Sequence, residues 1–507
     1  MTDKKDYSKT LLIKADVPGL QYDINGILKS FYPDKDVRVL TMDSDWNVAE
    51  AVHDEEILDI PTYMEVHTLS CELKILLPES KIFKYEVDPE LGPKNTFKRF
   101  FYDVMCEITD TTLPWGNLTG IRPTKIVKTM LENGNTEAEA RYFMKNNHRV
   151  SDEKLDLAVD IAQREIKLLS KLDCNNGYSL YIGIPFCPTT CLYCSFTSYP
   201  IKTWINRLDE YIDALGKELE YVADEFSKIN MPEGVRRYPD TIYIGGGTPT
   251  SLDEYHLEKL LDKITSTIGV DSSIEFTCEA GRPDSITYEK LQIMKKYGVT
   301  RISVNPQTMQ QCTLDLIGRR VQVSQIIDSF KSARDAGHDN INMDIILGLP
   351  GEAEDQVSDT LRKIAELGPD SLTVHSLAIK RASALKKRLD EIGIDALKNT
   401  DQTMKMAEQA AYDMCMNPYY LYRQKNMSGN FENVGYAKPG KEGIYNILIM
   451  EEVQTIVALG AGSVTKRVAR QADGSTLITR CENHKDVDLY ISKIEEMIDR
   501  KRQLFKD

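Results

Sequence analysis

Between residues 178 and 380 the chain alternates short apolar runs with longer stretches in which apolar side chains recur at helical spacing. The runs fall at 179–184, 241–244, 274–278, 301–304, 341–347 and 371–374. In the clearest intervening stretch Trp204, Leu208, Tyr211, Ile212, Leu215, Leu219, Val222 and Phe226 form one apolar stripe, the pattern of an amphipathic helix. Repeated strand-then-helix units predict a parallel sheet with helices outside it. Six such units fit a partial (β/α)6 barrel, an α/β fold in which chemistry gathers at the carboxyl ends of the strands.

The flanks read differently. Before residue 178, apolar positions predict strands over 11–13 and 73–77 and helices over 23–31 and 95–108. An N-terminal α+β accessory domain over 1–177 is the expected outcome. Its segment PWGNLTGIRPTK, residues 114–125, is dense in turn formers and carries Trp115, Arg122 and Lys125 ahead of a helix from Thr124. Ala158, Ile161, Ala162, Ile166, Leu169 and Leu172 mark a helix over 151–172 with Ser151 as its N-cap. The turn sequence CNNGYS then places a boundary before residue 178. Residues 381–507 read as a C-terminal α+β extension, with a helix near 400–415, an irregular glycine-rich stretch over 428–443 and a charged helix over 487–505.

Bulk composition narrows the function classes. The 507 residues carry a net charge of -15, with 41% hydrophobic and 28% charged residues, the balance of a globular protein of several domains. So acidic a chain disfavours non-specific nucleic-acid binding, and any anionic ligand needs a local basic pocket. No apolar run reaches the ~18 residues of a membrane span. The charged start MTDKKDYSK has no apolar core behind it, so the expectation is a protein without a signal peptide, in the reducing cytoplasm.

Of ten cysteines, Cys71, Cys106, Cys174, Cys278, Cys312, Cys415 and Cys481 have no framework spacing and read as small buried hydrophobes. Cys187, Cys191 and Cys194 stand apart, at C-x3-C-x2-C spacing in YIGIPFCPTTCLYCSFTSY just after the first strand. Thiolates this close hold soft metal, and iron-sulfur clusters take such ligands. Three cysteines on a four-iron cluster leave one iron open for a substrate. A zinc site asks for four protein ligands, and no further Cys or His follows nearby; zinc and inert thiols are the alternatives. After the second strand, Gly245, Gly246 and Gly247 let backbone approach a ligand closely.

Taken with Gly245-Gly246-Gly247-Thr248-Pro249-Thr250, the cysteine segment resembles the radical S-adenosylmethionine (radical SAM) superfamily and, within it, the oxygen-independent coproporphyrinogen III oxidase/dehydrogenase group. The resemblance spans roughly 178–465, and NVGYAKPG at 433–440, Asn446 and LGAGS at 459–463 are similar to the same group and its heme-chaperone relatives. It implies a radical SAM barrel with a [4Fe-4S] cluster on Cys187, Cys191 and Cys194 and S-adenosylmethionine at the open iron. It also implies cofactor contacts from Tyr181, Tyr193, Gly246, Gly247, Thr248, Glu279, Gln307, Arg319, Asp344 and, through backbone, Ala378. In these roles the glycine loop meets the methionine amino group, Glu279 the ribose hydroxyls, and Arg319 offers a planar cation suited to a carboxylate. Tyr193 packs against the cofactor, and Tyr181 is the candidate catalytic residue, with core packing as its other reading.

The implied reaction is radical decarboxylation of two coproporphyrinogen III propionates to vinyl groups, giving protoporphyrinogen IX. It needs a reductant for the cluster and an electron acceptor. Lys380 or Arg381 is expected to pair with a substrate propionate, while Lys386, Lys387 and Arg388 read as a solvated helix face. Two alternatives share the scaffold: a heme-handling chaperone and an enzyme that opens the heme ring. The chain departs from the pattern at Gly183, where many relatives carry His, and at Phe196, where the best-known oxidases carry a further Cys.

Overall fold

The computed structural model describes residues 7–16, 19–49, 55–120, 122–196, 198–226, 238–270, 273–380, 383–388, 397, 399–424, 431–471 and 473–506. Two compact units result, Met1–Gln163 with Arg423–Phe431, and Arg164–Tyr422 with Glu432–Asp507. Among the described residues no helix is long and apolar enough to cross a membrane.

The first unit is built on β1 (Thr10–Ala15), β2 (Asp36–Thr41), β3 (Thr62–His67), β4 (Glu72–Ile75) and β5 (Lys81–Lys84), in the order β2-β1-β3-β4-β5. β1 runs parallel to β2 and β3, and β3, β4 and β5 pair antiparallel. Ile13, Met64, Val66 and Leu73 share one core with Ile24 and Leu28 of helix Gln21–Phe31 and with Phe97 and Phe101 of helix Gly92–Thr109. This is the expected α+β packing. Strands β2 and β5, DVRVLT and KIFK, interleave charge with short apolar stretches, which hides them from a search for apolar runs.

The second unit holds the six expected strands as β6 (Tyr178–Ile184), then, after the two-residue parallel pair β7 (Phe186–Cys187) and β8 (Tyr199–Pro200), β9 (Thr241–Gly246), β10 (Glu275–Gly281), β11 (Arg301–Val304), β12 (Ile341–Leu347) and β13 (Ser371–Ser376). They lie side by side, all parallel, in chain order. Helices Leu208–Phe226, Glu254–Thr267, Tyr288–Lys296, Val323–Asp335 and Glu354–Leu367 make the crossovers. Trp204 stands outside the first of them, between two short 3-10 turns.

Residues after 381 prolong the same sheet at both ends. β14 (Asn417–Tyr422) and β15 (Asn433–Ala437) extend it beyond β13, and β16 (Thr455–Leu459), β17 (Val464–Arg470) and β18 (Thr476–Glu482) extend it beyond β6. Part of the stretch expected to be irregular is therefore strand β15. Its Gly435 is needed because a Cβ there would lie 1.9 Å from the Tyr420 ring. The charged helix expected over 487–505 is broken at Lys493 into Val487–Ser492 and Ile494–Lys506.

Register sorts the parallel strands into two faces. Leu180, Ile182, Ile242, Ile244, Phe276, Ile302, Met343, Ile345, Leu372 and Val374 are buried on one. On the other stand Ser179, Tyr181, Thr241, Tyr243, Thr277, Glu279, Arg301, Ser303, Asn342, Asp344, Thr373 and His375. A polar inner row at this density is unlike a packed barrel core; it lines a place for a polar ligand.

Candidate active site

The site is assembled where β6, β9, β10, β11 and β12 end. After β6 the chain turns through the cysteine loop, closed at its base by the β7–β8 pair. The loop is pinned to its surroundings by backbone: Leu192 N donates to Ile317 O at 2.9 Å, and Leu385 N to Leu192 O at 2.8 Å. Leu192 and Tyr193 pack with Ile317, Ile346, Leu349 and Leu377. Tyr193, expected to lie against a cofactor, thus also anchors the loop.

The glycine loop after β9 lies directly on this segment. Gly247 N donates to Ile184 O at 2.8 Å and Thr248 N to Phe186 O at 2.7 Å. A Cβ on Gly247 would come within 2.9 Å of Cys187 Sγ and 2.5 Å of Phe186 O, while Gly246 takes φ +113°. Only glycine meets both conditions. Thr248 Oγ1 lies 3.5 Å from Cys187 Sγ, so the first cysteine is walled in by residues 247 and 248.

Two buried guanidinium groups flank the cysteines. Arg282 Nη1 reaches Thr189 O and Oγ1, both at 2.9 Å, and Cys191 Sγ at 3.7 Å. Arg319 is 3% exposed; its Nη2 makes one long contact to Gly281 O at 3.5 Å, and its Nε and Nη1 have no partner. Burial pushes the Cys187 and Cys194 thiols up, opposed by the positive charge of Arg282 at Cys187 and of Arg319 at Cys194. Among the described residues no three His, Cys, Asp or Glu side chains converge on a single ion. A loop with three cysteines at C-x3-C-x2-C spacing and no fourth Cys or His nearby in sequence suits an iron-sulfur cluster, which takes one thiolate per iron, better than a closed zinc tetrahedron.

Deeper along the inner row, Tyr181 lies beside Tyr243 and Tyr445, its ring near-parallel to both, with centroids 6.3 and 6.2 Å away. Tyr243 and Tyr445 stack on each other at 4.4 Å. The Tyr243 hydroxyl donates to Glu279 Oε1. Burial pushes Glu279 up to about 7, and the charge of Asp344 adds to this. Asp344 is also driven up by burial, but His375, Asn342 and Thr373 outweigh that and hold it below the usual value. Asn342 Nδ2 lies 2.6 Å from Asp344 Oδ1, and His375 Nε2 lies 3.7 Å from Oδ2. Gln307 takes a left-handed φ of 69° and leaves its buried Oε1 without a partner.

The structure therefore joins Tyr193, Gly246, Gly247, Thr248 and Arg319 around the cysteines, and places Tyr181, Glu279 and Asp344 in one inner network. Ala378 and Lys380 follow β13 half-buried, separated by Ile379, which packs on the same apolar cluster as Tyr193. Burial lowers the Lys380 ammonium. Arg381 lies outside the described residues. Lys387 and Arg388 are exposed, as a solvated face requires. Sequence reading passed over Arg282, Tyr243, His375 and Tyr445. Arg282 was within reach, three residues beyond Glu279; Tyr445 was not, since it comes from a distant helix. A Cβ on Gly183 would lie 3.2 Å from Leu459 O, so the end of β16 occupies the space a larger side chain would need.

The model of the Radical SAM superfamily matches residues 181–364. The oxygen-independent coproporphyrinogen-III oxidase-like protein HemZ of Bacillus subtilis is 38% identical over 410 residues, 80% of this chain and 80% of that one. The heme chaperone HemW of the same organism is 32% identical over 319 residues, 63% of this chain and 76% of its own. The solved structure of coproporphyrinogen III oxidase HemN from Escherichia coli aligns with a TM-score of 0.49 at 20% identity, covering 65% of this chain and 72% of that one.

Proposed function

Because the chain belongs to the radical SAM superfamily, in its oxygen-independent coproporphyrinogen-III oxidase-like branch, and so to a family that binds a [4Fe-4S] cluster and S-adenosylmethionine, we propose that it decarboxylates coproporphyrinogen III oxidatively to protoporphyrinogen IX. The observation that carries the reading is the buried Arg319 guanidinium, with two unpartnered donors beside a cysteine loop on which only a glycine loop fits. A buried cation left open in this way asks for an anion, and in this reading the carboxylate of S-adenosylmethionine is that anion.

In this reading Cys187, Cys191 and Cys194 hold the cluster. The backbone of Gly246 and Gly247, with Thr248, receives the methionine amino group. Glu279 takes the ribose hydroxyls, Gln307, Asp344 and the Ala378 backbone complete the cofactor's surroundings, and Tyr193 packs against it. Bound together, the cluster and S-adenosylmethionine supply hydrogen-atom abstraction after one-electron reduction. The protein's own part is to orient and to exclude water. Tyr181, Tyr243 and Tyr445 line the inner row with ring faces, and Lys380 or Arg381 pairs with a propionate. The substrate then loses hydrogen, carbon dioxide and one further electron, the last to an external acceptor.

The test is anaerobic turnover of cluster-loaded protein with coproporphyrinogen III, a low-potential reductant and an electron acceptor. Carbon dioxide and protoporphyrinogen IX are expected; their absence overturns the substrate assignment. Cys191→Ala is expected to reduce S-adenosylmethionine cleavage to background. One observation favours a second reading, heme delivery: Phe196, where well-known oxidases have a further Cys, is 76% exposed, and relatives named heme chaperones are 32% identical. Stoichiometric heme transfer without carbon dioxide release would select it.

A further inference from the structure

Arg282 follows β10 by one residue and is 5% exposed. Every arm of its fork is fixed. Nε and Nη2 meet the two oxygens of Asp284 at 2.9 and 2.7 Å, and Nη1 meets Thr189 O and Oγ1 while lying 3.7 Å from Cys191 Sγ. The backbone is held as firmly: Arg282 O accepts from Ser285 N at 3.0 Å and from Ser285 Oγ at 2.8 Å. Thr189 stands midway between Cys187 and Cys191, so one immobile cation grips the cysteine loop and points a donor at a sulfur.

Loop support alone would be met by a neutral donor to Thr189. A guanidinium at a thiolate does more. Reduction adds negative charge to a centre already ringed by thiolates, and a cation fixed in a poorly solvated place stabilises the reduced form more than the oxidised one. Hydrogen bonds to sulfur and local charge are among the levers that set cluster potentials.

We propose that Arg282 is a positioning residue that raises the reduction potential of the cluster, easing entry of the single electron on which the reaction depends. The inference rests on Cys191 being a cluster ligand, and the two fail separately.

The experiment uses the full chain, reconstituted anaerobically with iron and sulfide and without S-adenosylmethionine. Iron and sulfide content is measured, then the midpoint by titration with titanium(III) citrate followed by electron paramagnetic resonance. Arg282→Gln is expected to keep its iron and to become harder to reduce, roughly tenfold in the reduction equilibrium, about 59 mV for one electron. Arg282→Lys, which keeps charge and loses the fork, is expected to shift less in the same direction. An Arg282→Gln protein with full iron and an unmoved midpoint overturns the proposal. Should Arg282→Gln take up no iron, Arg282→Lys decides, and an unmoved midpoint or absent iron in a folded chain overturns it equally. Wild-type protein that binds no iron overturns instead the cysteine assignment beneath it.

Discussion

Two centres of buried charge in the second unit differ in how they are finished. At one, Glu218 and Lys501, both fully buried, lie 2.6 Å apart. Glu218 also accepts from Asn483 Nδ2, Gly460 N and Tyr490 OH, and Lys501 reaches Asn483 Oδ1 at 2.7 Å. At the other, Arg319 has one long contact and two idle donors, Gln307 an idle acceptor, and Glu279 a proton affinity raised by burial. The first centre ties the last helix to the loop after β16 and leaves nothing for a ligand. The second is costly as it stands, so its stability is reserved for whatever completes it. Charge that serves the fold is closed; charge that serves binding is left open.

The largest expected effect comes from opening the closed centre. Lys501→Met strands a buried carboxylate, which typically costs about 3–5 kcal/mol. Denaturant unfolding should show that loss, and the double variant Glu218→Gln/Lys501→Met should regain most of it. A single variant as stable as wild type would show that the pair contributes nothing the helix needs.

Closing the open centre should have the opposite signature. Arg319→Met removes an unsatisfied cation from the interior, so unfolding stability is expected to hold or rise. The affinity of the cluster-loaded protein for S-adenosylmethionine is expected to fall by about 1.5–3 kcal/mol, the worth of hydrogen bonds to a charged group. That is roughly 10- to 100-fold in titration calorimetry. Equal damage to stability and binding would erase the distinction between the two centres.

How much of this was legible from the chain depends on how far apart the partners lie in it. β6 and β9 to β13 are apolar on their helix side and short, so apolar runs alone located them. The cysteine spacing and the glycine run are each contiguous, and family resemblance added Glu279, Arg319 and Asp344. Contacts closed over long sequence distances left no such trace: Tyr445 on Tyr243, Glu275 accepting from Ile444 N and Tyr445 N, and Lys501 on Glu218. β15, β17 and β18 were hidden for another reason. β17 and β18, VTKRVAR and TLITRCE, carry charge along an exposed ladder, and β15 contains a glycine that only the Tyr420 ring explains.

The smallest effect tests the open centre by pH. Glu279 is driven up to about 7 from 4.5 by burial, with Asp344 adding, while the Tyr243 hydrogen bond and the charges of Arg301 and His375 oppose. A carboxyl with a higher pKa folded than unfolded binds a proton more tightly in the native state. Its contribution to stability is therefore full below about 4.5 and is lost as pH rises through about 7. Since Glu279 is only part-buried and faces the site, the loss is expected to be on the order of 1 kcal/mol. Glu279→Gln should flatten the stability curve across that window and lie above wild type at pH 8. Tyr243→Phe, which deletes the opposing hydrogen bond, should move the window upward. If both variants track wild type across pH, Glu279 titrates alike in the folded and unfolded chain, and the open centre carries less strain than its idle donors imply.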